Sequence, residues 1–138
     1  MEKIPQEIII EILEYLPLQE LLKMEQINKQ FRKIIRENKW KNLIVYINKN
    51  MDDVKLLKKF ITNHNFINYD FKDCEIITDK ILKFLKKCHT LNLDGYNQIT
   101  DHGLSYLTNC HTLKLYGCNK ISQKLINELR QKGINVIC

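Results

Sequence analysis

The sequence predicts an α/β chain: a three-helix unit first, then a short solenoid with parallel strands on its concave face and helices on its convex face. Two observations predict it. Residues 1–41 carry apolar side chains at helical spacing, interrupted by Pro17 and Asn28. From Phe66 onward, 22-residue blocks repeat one apolar register: FINYDFKDCEIITDKILKFLKK, CHTLNLDGYNQITDHGLSYLTN and CHTLKLYGCNKISQKLINELRQ. The expected organisation is a helical unit over 1–41, a degenerate leading coil or linker over 42–65, and repeats over 66–87, 88–109 and 110–131. A closing strand over 132–138 completes it.

The first helix is expected in PQEIIIEILEYL, with Pro5 at its first position and Glu7 in its first turn. Glu7, Glu11 and Glu14 form its polar column. Ile8, Ile12 and Tyr15 form a second column and Ile9, Leu13 and Leu16 a third, with Ile10 beside them. A surface helix needs an apolar stripe somewhat over 100° wide, and this one is apolar over about twice that arc. A unit this small cannot cover both columns, so one should face a partner. Pro17 restarts the chain into a second helix bearing Leu21, Leu22 and Ile27. Asn28 is a good N-cap for a third, carrying Phe31, Ile34 and Ile35, and Trp40 closes the unit.

The 138 residues are 44% hydrophobic and 28% charged, the balance of a globular domain, and no 18-residue apolar run predicts a membrane span. The N-terminus lacks the apolar core of a secretory leader, so the expected address is cytoplasmic, with the nucleus as the alternative, or the host cytoplasm for a chain from an intracellular pathogen or virus. Five cysteines with no CxxC point to reduced thiols and not to a disulfide framework. The net charge of +6 permits acidic partners. Lys29, Arg32, Lys33, Arg36, Lys39 and Lys41 could track phosphates, but no aromatic or base-reading set accompanies them and Glu25 and Glu37 intrude. Nucleic acid is therefore not the expected partner. P-loop, GxGxxG, nucleophile-elbow and HExxH motifs are all missing, and neither an enzyme nor a cofactor is expected.

Within the repeats, equivalent sites are Phe66, Tyr69, Phe71, Cys74 and Ile77; then Cys88, Leu91, Leu93, Tyr96 and Ile99; then Cys110, Leu113, Leu115, Cys118 and Ile121. The two Cys-His pairs, Cys88-His89 and Cys110-His111, suggest zinc at first sight. Phe66 stands where the first Cys would have to be, however, and Ile67 where the first His would be. A site that accepts Phe or Cys is apolar, and buried free Cys behaves as a small hydrophobe. No metal is expected. Ile134 and Val136 should supply the closing strand one residue early, with its outer edge unprotected. Alternation along the strands should turn three columns outward: Asn68–Thr90–Thr112, Asp70–Asn92–Lys114 and Lys72–Asp94–Tyr116. Tyr116 is the expected anchor among these candidate target-binding residues.

IPQEIIIEILEYLPLQELLKMEQINKQFRKIIRENKW resembles an F-box: an opening Ile-Pro-x-Glu, an apolar run to Tyr-Leu, a Leu-Leu pair, Lys-x-aromatic-Arg and a closing Trp. The repeats resemble cysteine-containing leucine-rich repeats, although they are shorter than is usual there. The F-box resemblance implies docking on the Skp-type adaptor of a cullin–RING ubiquitin ligase through Ile4, Pro5, Ile8, Ile9, Ile12, Leu13, Leu16, Pro17, Leu21 and Leu22. The repeats would then hold a target protein, the chain acting as a recognition subunit. The alternative is a non-catalytic interaction protein or decoy that occupies the adaptor and delivers nothing.

Overall fold

A computed structural model describes residues 3–138; Met1 and Glu2, which fall within the expected 1–41 unit, lie outside the described residues. Three helices come first: α1 (Gln6–Leu13), α2 (Leu18–Ile27) and α3 (Lys29–Glu37). Pro5 is the residue before α1 and not its first helical residue, with extended ψ. The helix also ends at Leu13, so Tyr15 and Leu16 sit on the turn leading to Pro17. Asn28 caps α3 by accepting a 2.9 Å hydrogen bond from the Phe31 amide. Ile34 and Ile35 are buried beneath it, and the Trp40 indole donates to the Ile35 carbonyl at 2.9 Å. Ile27, expected with the apolar set of α2, is exposed at the helix end.

The rest of the chain alternates strands and helices. These are β1 (Val45–Tyr46), α4 (Val54–Asn63), β2 (Asn68–Asp70), α5 (Asp79–Leu82), β3 (Thr90–Asn92), α6 (Asp101–Leu104), β4 (Thr112–Lys114), α7 (Gln123–Gln131) and β5 (Asn135–Ile137). All five strands are parallel and lie in chain order. Residues 42–65 supply a strand and a full helix to this series, capped by Asp53, whose carboxylate accepts from the Lys55 and Leu56 amides. The register aligns Val45, Tyr69, Leu91, Leu113 and Val136 in one buried row across the sheet. Such a row forms because period-2 alternation sends these side chains to the helix-covered face of every strand.

The cysteines explain themselves in this arrangement. All five are free and four are buried. The Cys88 thiol donates to the Ile67 carbonyl and the Cys110 thiol to the His89 carbonyl, at 3.2 and 3.3 Å. Cys118 donates to Leu93, and Tyr96 takes the same role one coil earlier by donating to Phe71. Each closes a backbone acceptor of the preceding coil while filling an apolar slot. The hydrogen bond with Cys110 and burial hold the Cys88 thiol well above its ordinary pKa, so it stays protonated.

A second ladder ties the helical side. Asp79 accepts from the Thr100 amide and hydroxyl at 2.9 and 2.6 Å, and Asp101 from the Ser122 amide and hydroxyl at 2.8 and 2.5 Å. Gly103 lies so close to Asp79 that a Cβ there would meet its carboxylate. Gln123 stands where the next aspartate would be and bonds to Asn127 instead.

The closing strand departs from expectation. Val136 lies opposite Leu113, one residue later than a 22-residue spacing would place it. The cause is α7, longer than α5 or α6, which ends in a Schellman turn. The Ile134 amide donates to Leu129 and the Gly133 amide to Arg130, with Gly133 at φ 88°. Ile134 and Leu129 are both buried, the apolar pair that commonly accompanies this turn.

Candidate functional site

Two surfaces carry the candidate residues, and the fold treats them differently. The first surrounds α1. Leu13 and Leu21 are in the core, at 2% and 1% exposure, so neither of these two sequence candidates offers a docking contact. They are the residues that hold α1 and α2 on the bundle. Ile4, Pro5, Ile8, Ile12 and Pro17 are exposed, and Ile9, Leu16 and Leu22 are half-buried. Ile8 and Ile12 stand one turn apart at 46% and 58% exposure. Fully burying one such side chain is worth about 1.5–3 kcal/mol. Leaving Ile4, Ile8 and Ile12 in water therefore forgoes several kcal/mol of burial, which a surface with no partner has no reason to do.

Beside them opens an apolar groove of about 350 Å³ whose walls include Ile9, Ile12, Leu16, Met24 and Phe31. Met24 and Phe31 did not enter the sequence candidates. They reach this face only because α2 and α3 fold back across α1, which helical spacing within one segment cannot reveal. Tyr15, expected in an apolar column, is 85% exposed, the most open aromatic residue of this region.

The second surface is the strand face turned away from the helices. Lys72 and Tyr116 are exposed there, and Asp70, Thr90, Asp94, Thr112 and Lys114 are half-buried. Asn68 and Asn92, expected to point freely outward, are buried. The reason is hydrogen bonding along the sheet. The Asn68 amide nitrogen donates to the Lys41 carbonyl at 2.8 Å; that of Asn92 donates to Asp70 Oδ2 at 3.1 Å, and Asn92 Oδ1 accepts from the Asp94 amide. Asp70 and Asp94 are likewise engaged, accepting from the Lys72 and Tyr116 amides. Among the described residues, this leaves Lys72, Lys114 and Tyr116 as the candidates whose side chains have no recorded hydrogen bond. His89 and His111, absent from the sequence candidates, stack at 4.7 Å beside Thr90 and Thr112 and are exposed.

A buried polar cluster joins the helical unit to the first coil. Glu25 accepts from Arg36 and faces His64 Nε2 at 2.8 Å, while His64 Nδ1 lies 2.9 Å from the Phe60 carbonyl. Burial pushes the Glu25 carboxyl up, but hydrogen bonds from His64 and Arg36 together outweigh it and hold its pKa below the ordinary value. Trp40 bridges to Phe66 in the same region, so the helices and the sheet share one core. Among the described residues, no group of three His, Cys, Asp or Glu is placed to hold a metal ion, and no helix is long and apolar enough to cross a membrane.

The exposed isoleucines of α1 lie inside a recognisable sequence family. Residues 1–45 match the F-box-like family. The match spans α1, α2, α3 and Trp40 and stops at the first residue of β1. Comparison of the chain with curated proteins finds no match. The F-box-like match thus covers the helical segment, and the sheet that follows is described by its own geometry.

Proposed function

We propose that the chain is the substrate-recognition subunit of an SCF-type ubiquitin ligase, its F-box-like segment docking a Skp-type adaptor and its coils, read as leucine-rich repeats, holding a target protein. One observation carries the reading: exposed Ile4 just before α1 and exposed Ile8 and Ile12 on it, within the segment that matches the F-box-like family. The docking set is Ile4, Pro5, Ile8 and Ile12 with the half-buried Ile9, Leu16 and Leu22, and Pro17 fixes the turn between the two helices. Apolar anchors that are well packed on their own side make effective interface hot spots. The chain contributes no chemistry of its own in this reading. It raises the local concentration of a target beside a conjugating enzyme and so makes transfer effectively intramolecular. Its place of action is the cytoplasm, with no cofactor and no nucleic acid.

On the strand face, Tyr116 and Lys114 are the target contacts, with Lys72 beside the same columns. Tyr116 is 57% exposed and donates no side-chain hydrogen bond within the described residues, so it is free to anchor a partner. The decoy reading is favoured by one observation: much of that face is already bonded to itself, through Asn68, Asp70, Asn92 and Asp94.

Affinity purification from the native cell separates these readings. The full chain is expected to recover a Skp-type adaptor, a cullin and a client. Ile8→Asp with Ile12→Asp should lose the adaptor and cullin and keep the client; Tyr116→Ala with Lys114→Glu should do the reverse. Recovery of the adaptor with no client in any sample supports the decoy. Recovery of neither contradicts the proposal.

A further inference from the structure

A cleft of about 490 Å³ opens between the C-terminal end of α4 and the turn after α5, away from both surfaces described above. Ligand sites commonly measure about 300–1,000 Å³ and pair an apolar lining with a few placed polar groups. Here the apolar wall is Ile61, Phe66, Tyr69 and Leu85, and the remaining side includes Lys83, Lys86 and Lys87.

Tyr69 is the unusual member. It is 2% exposed, and its hydroxyl is buried with no hydrogen-bond partner. A buried, unpaired hydroxyl costs about 1–3 kcal/mol. Its neighbours in the sheet row are Val45 and Leu91, so packing alone asks only for an apolar side chain there. Burial raises the phenol pKa well above its ordinary value, so the group is an O–H donor at physiological pH.

Two of the three lining lysines, Lys83 and Lys86, lie against aromatic rings. Lys83 Nζ lies 5.2 Å from the Phe84 ring centroid, with Lys58 at 4.8 Å from the same ring, and Lys86 Nζ lies 5.9 Å from the Tyr106 ring. None of these lysines has a carboxylate within salt-bridge distance among the described residues. The cleft therefore combines an apolar wall, three unneutralised cations and a donor without an acceptor.

We propose that this cleft binds a small amphiphilic carboxylate: an acid whose carboxylate meets Lys83, Lys86 and Lys87, whose apolar chain lies on Ile61, Phe66 and Leu85, and whose far end carries an oxygen that accepts from Tyr69. The inference rests on the cleft and is independent of the adaptor reading.

Three probes of one length test it by isothermal titration against the full chain: 10-hydroxydecanoate, decanoate and 1-decanol. The expected order is 10-hydroxydecanoate tightest, decanoate next and decanol weakest, with one-to-one saturation for the first. Tyr69→Phe should weaken 10-hydroxydecanoate about tenfold, the worth of one hydrogen bond in a dry site, and leave decanoate unchanged. The same variant should melt no lower than the parent protein, since the hydroxyl it removes is unpaired in the free chain. Lys86→Glu with Lys87→Glu should weaken both acids and spare decanol. Absence of saturable binding by all three probes overturns the proposal, as does equal binding of acid and alcohol. Unchanged 10-hydroxydecanoate affinity in Tyr69→Phe removes Tyr69 from the site and overturns it as stated.

Discussion

The helix α1 and the central row of the sheet are built from the same kinds of aliphatic residue and dispose of them in opposite ways. Val45, Leu91, Leu113 and Val136 are all buried, each covered by helices on its own side and by neighbours in the row. Ile4, Ile8 and Ile12 are in water, although Leu13, on the same helix as Ile8 and Ile12, is in the core. A chain that can bury aliphatics so completely in one region has no packing reason to leave them open in another. The difference sets α1 apart as the apolar surface left open and the sheet as the scaffold that covers its own aliphatics.

Truncating one aliphatic side chain in each region should give very different losses. Leu91→Ala is expected to have the largest effect on stability, about 3 kcal/mol, because it leaves a cavity in the row with strands on both sides. Ile12→Ala, chemically the same kind of deletion, should change stability by no more than about 0.5 kcal/mol. Chemical denaturation of both variants measures the contrast; equal losses would erase the distinction between the two regions.

Gly103→Ala should follow, with a loss of about 2 kcal/mol from overpacking. The new methyl must displace Asp79 and with it both hydrogen bonds to Thr100. Asp79→Ala in the same background should then add little, because the two changes break one ladder; full additivity would contradict the coupling.

The junction between the regions supplies a smaller, pH-dependent effect. Glu25→Gln is expected to cost about 1.5 kcal/mol, the low end for hydrogen bonds to a charged group. Glu25 binds its proton less readily in the folded chain than in the unfolded one. Its contribution is therefore fully present above its ordinary pKa and is lost as pH falls through the lowered folded value. The gap in melting temperature between parent and Glu25→Gln should be wide at neutral pH and close on acidification. A gap that stays constant across that range would assign the loss to packing.

Parts of this division are legible in the sequence. The 22-residue spacing of Tyr69, Leu91 and Leu113 puts them in one row because parallel strands stack equivalent residues. The surplus apolar arc of α1 is visible too, as is the cap at Asn28. Which isoleucines and leucines fill the arc's inner side is not, since Leu13 and Ile12 are alike until α2 and α3 cover one of them. Alternation also misplaced Asn68 and Asn92: it gives the direction of a side chain and says nothing of the hydrogen bonds that fold it back onto the neighbouring strand. The pairing of Glu25 with His64 spans 39 residues and carries no local signal. The late arrival of β5 depends on how α7 ends, at Gly133, and a fixed repeat length cannot supply that.

In the proposed reading, α1 presents its isoleucines to an adaptor. Titration calorimetry of the purified full chain with a purified Skp-type adaptor tests it most directly. The expected result is saturable one-to-one binding that Ile8→Asp with Ile12→Asp weakens by more than about a hundredfold while the melting temperature holds. No binding by the parent chain, or unchanged affinity in the folded double variant, would contradict it.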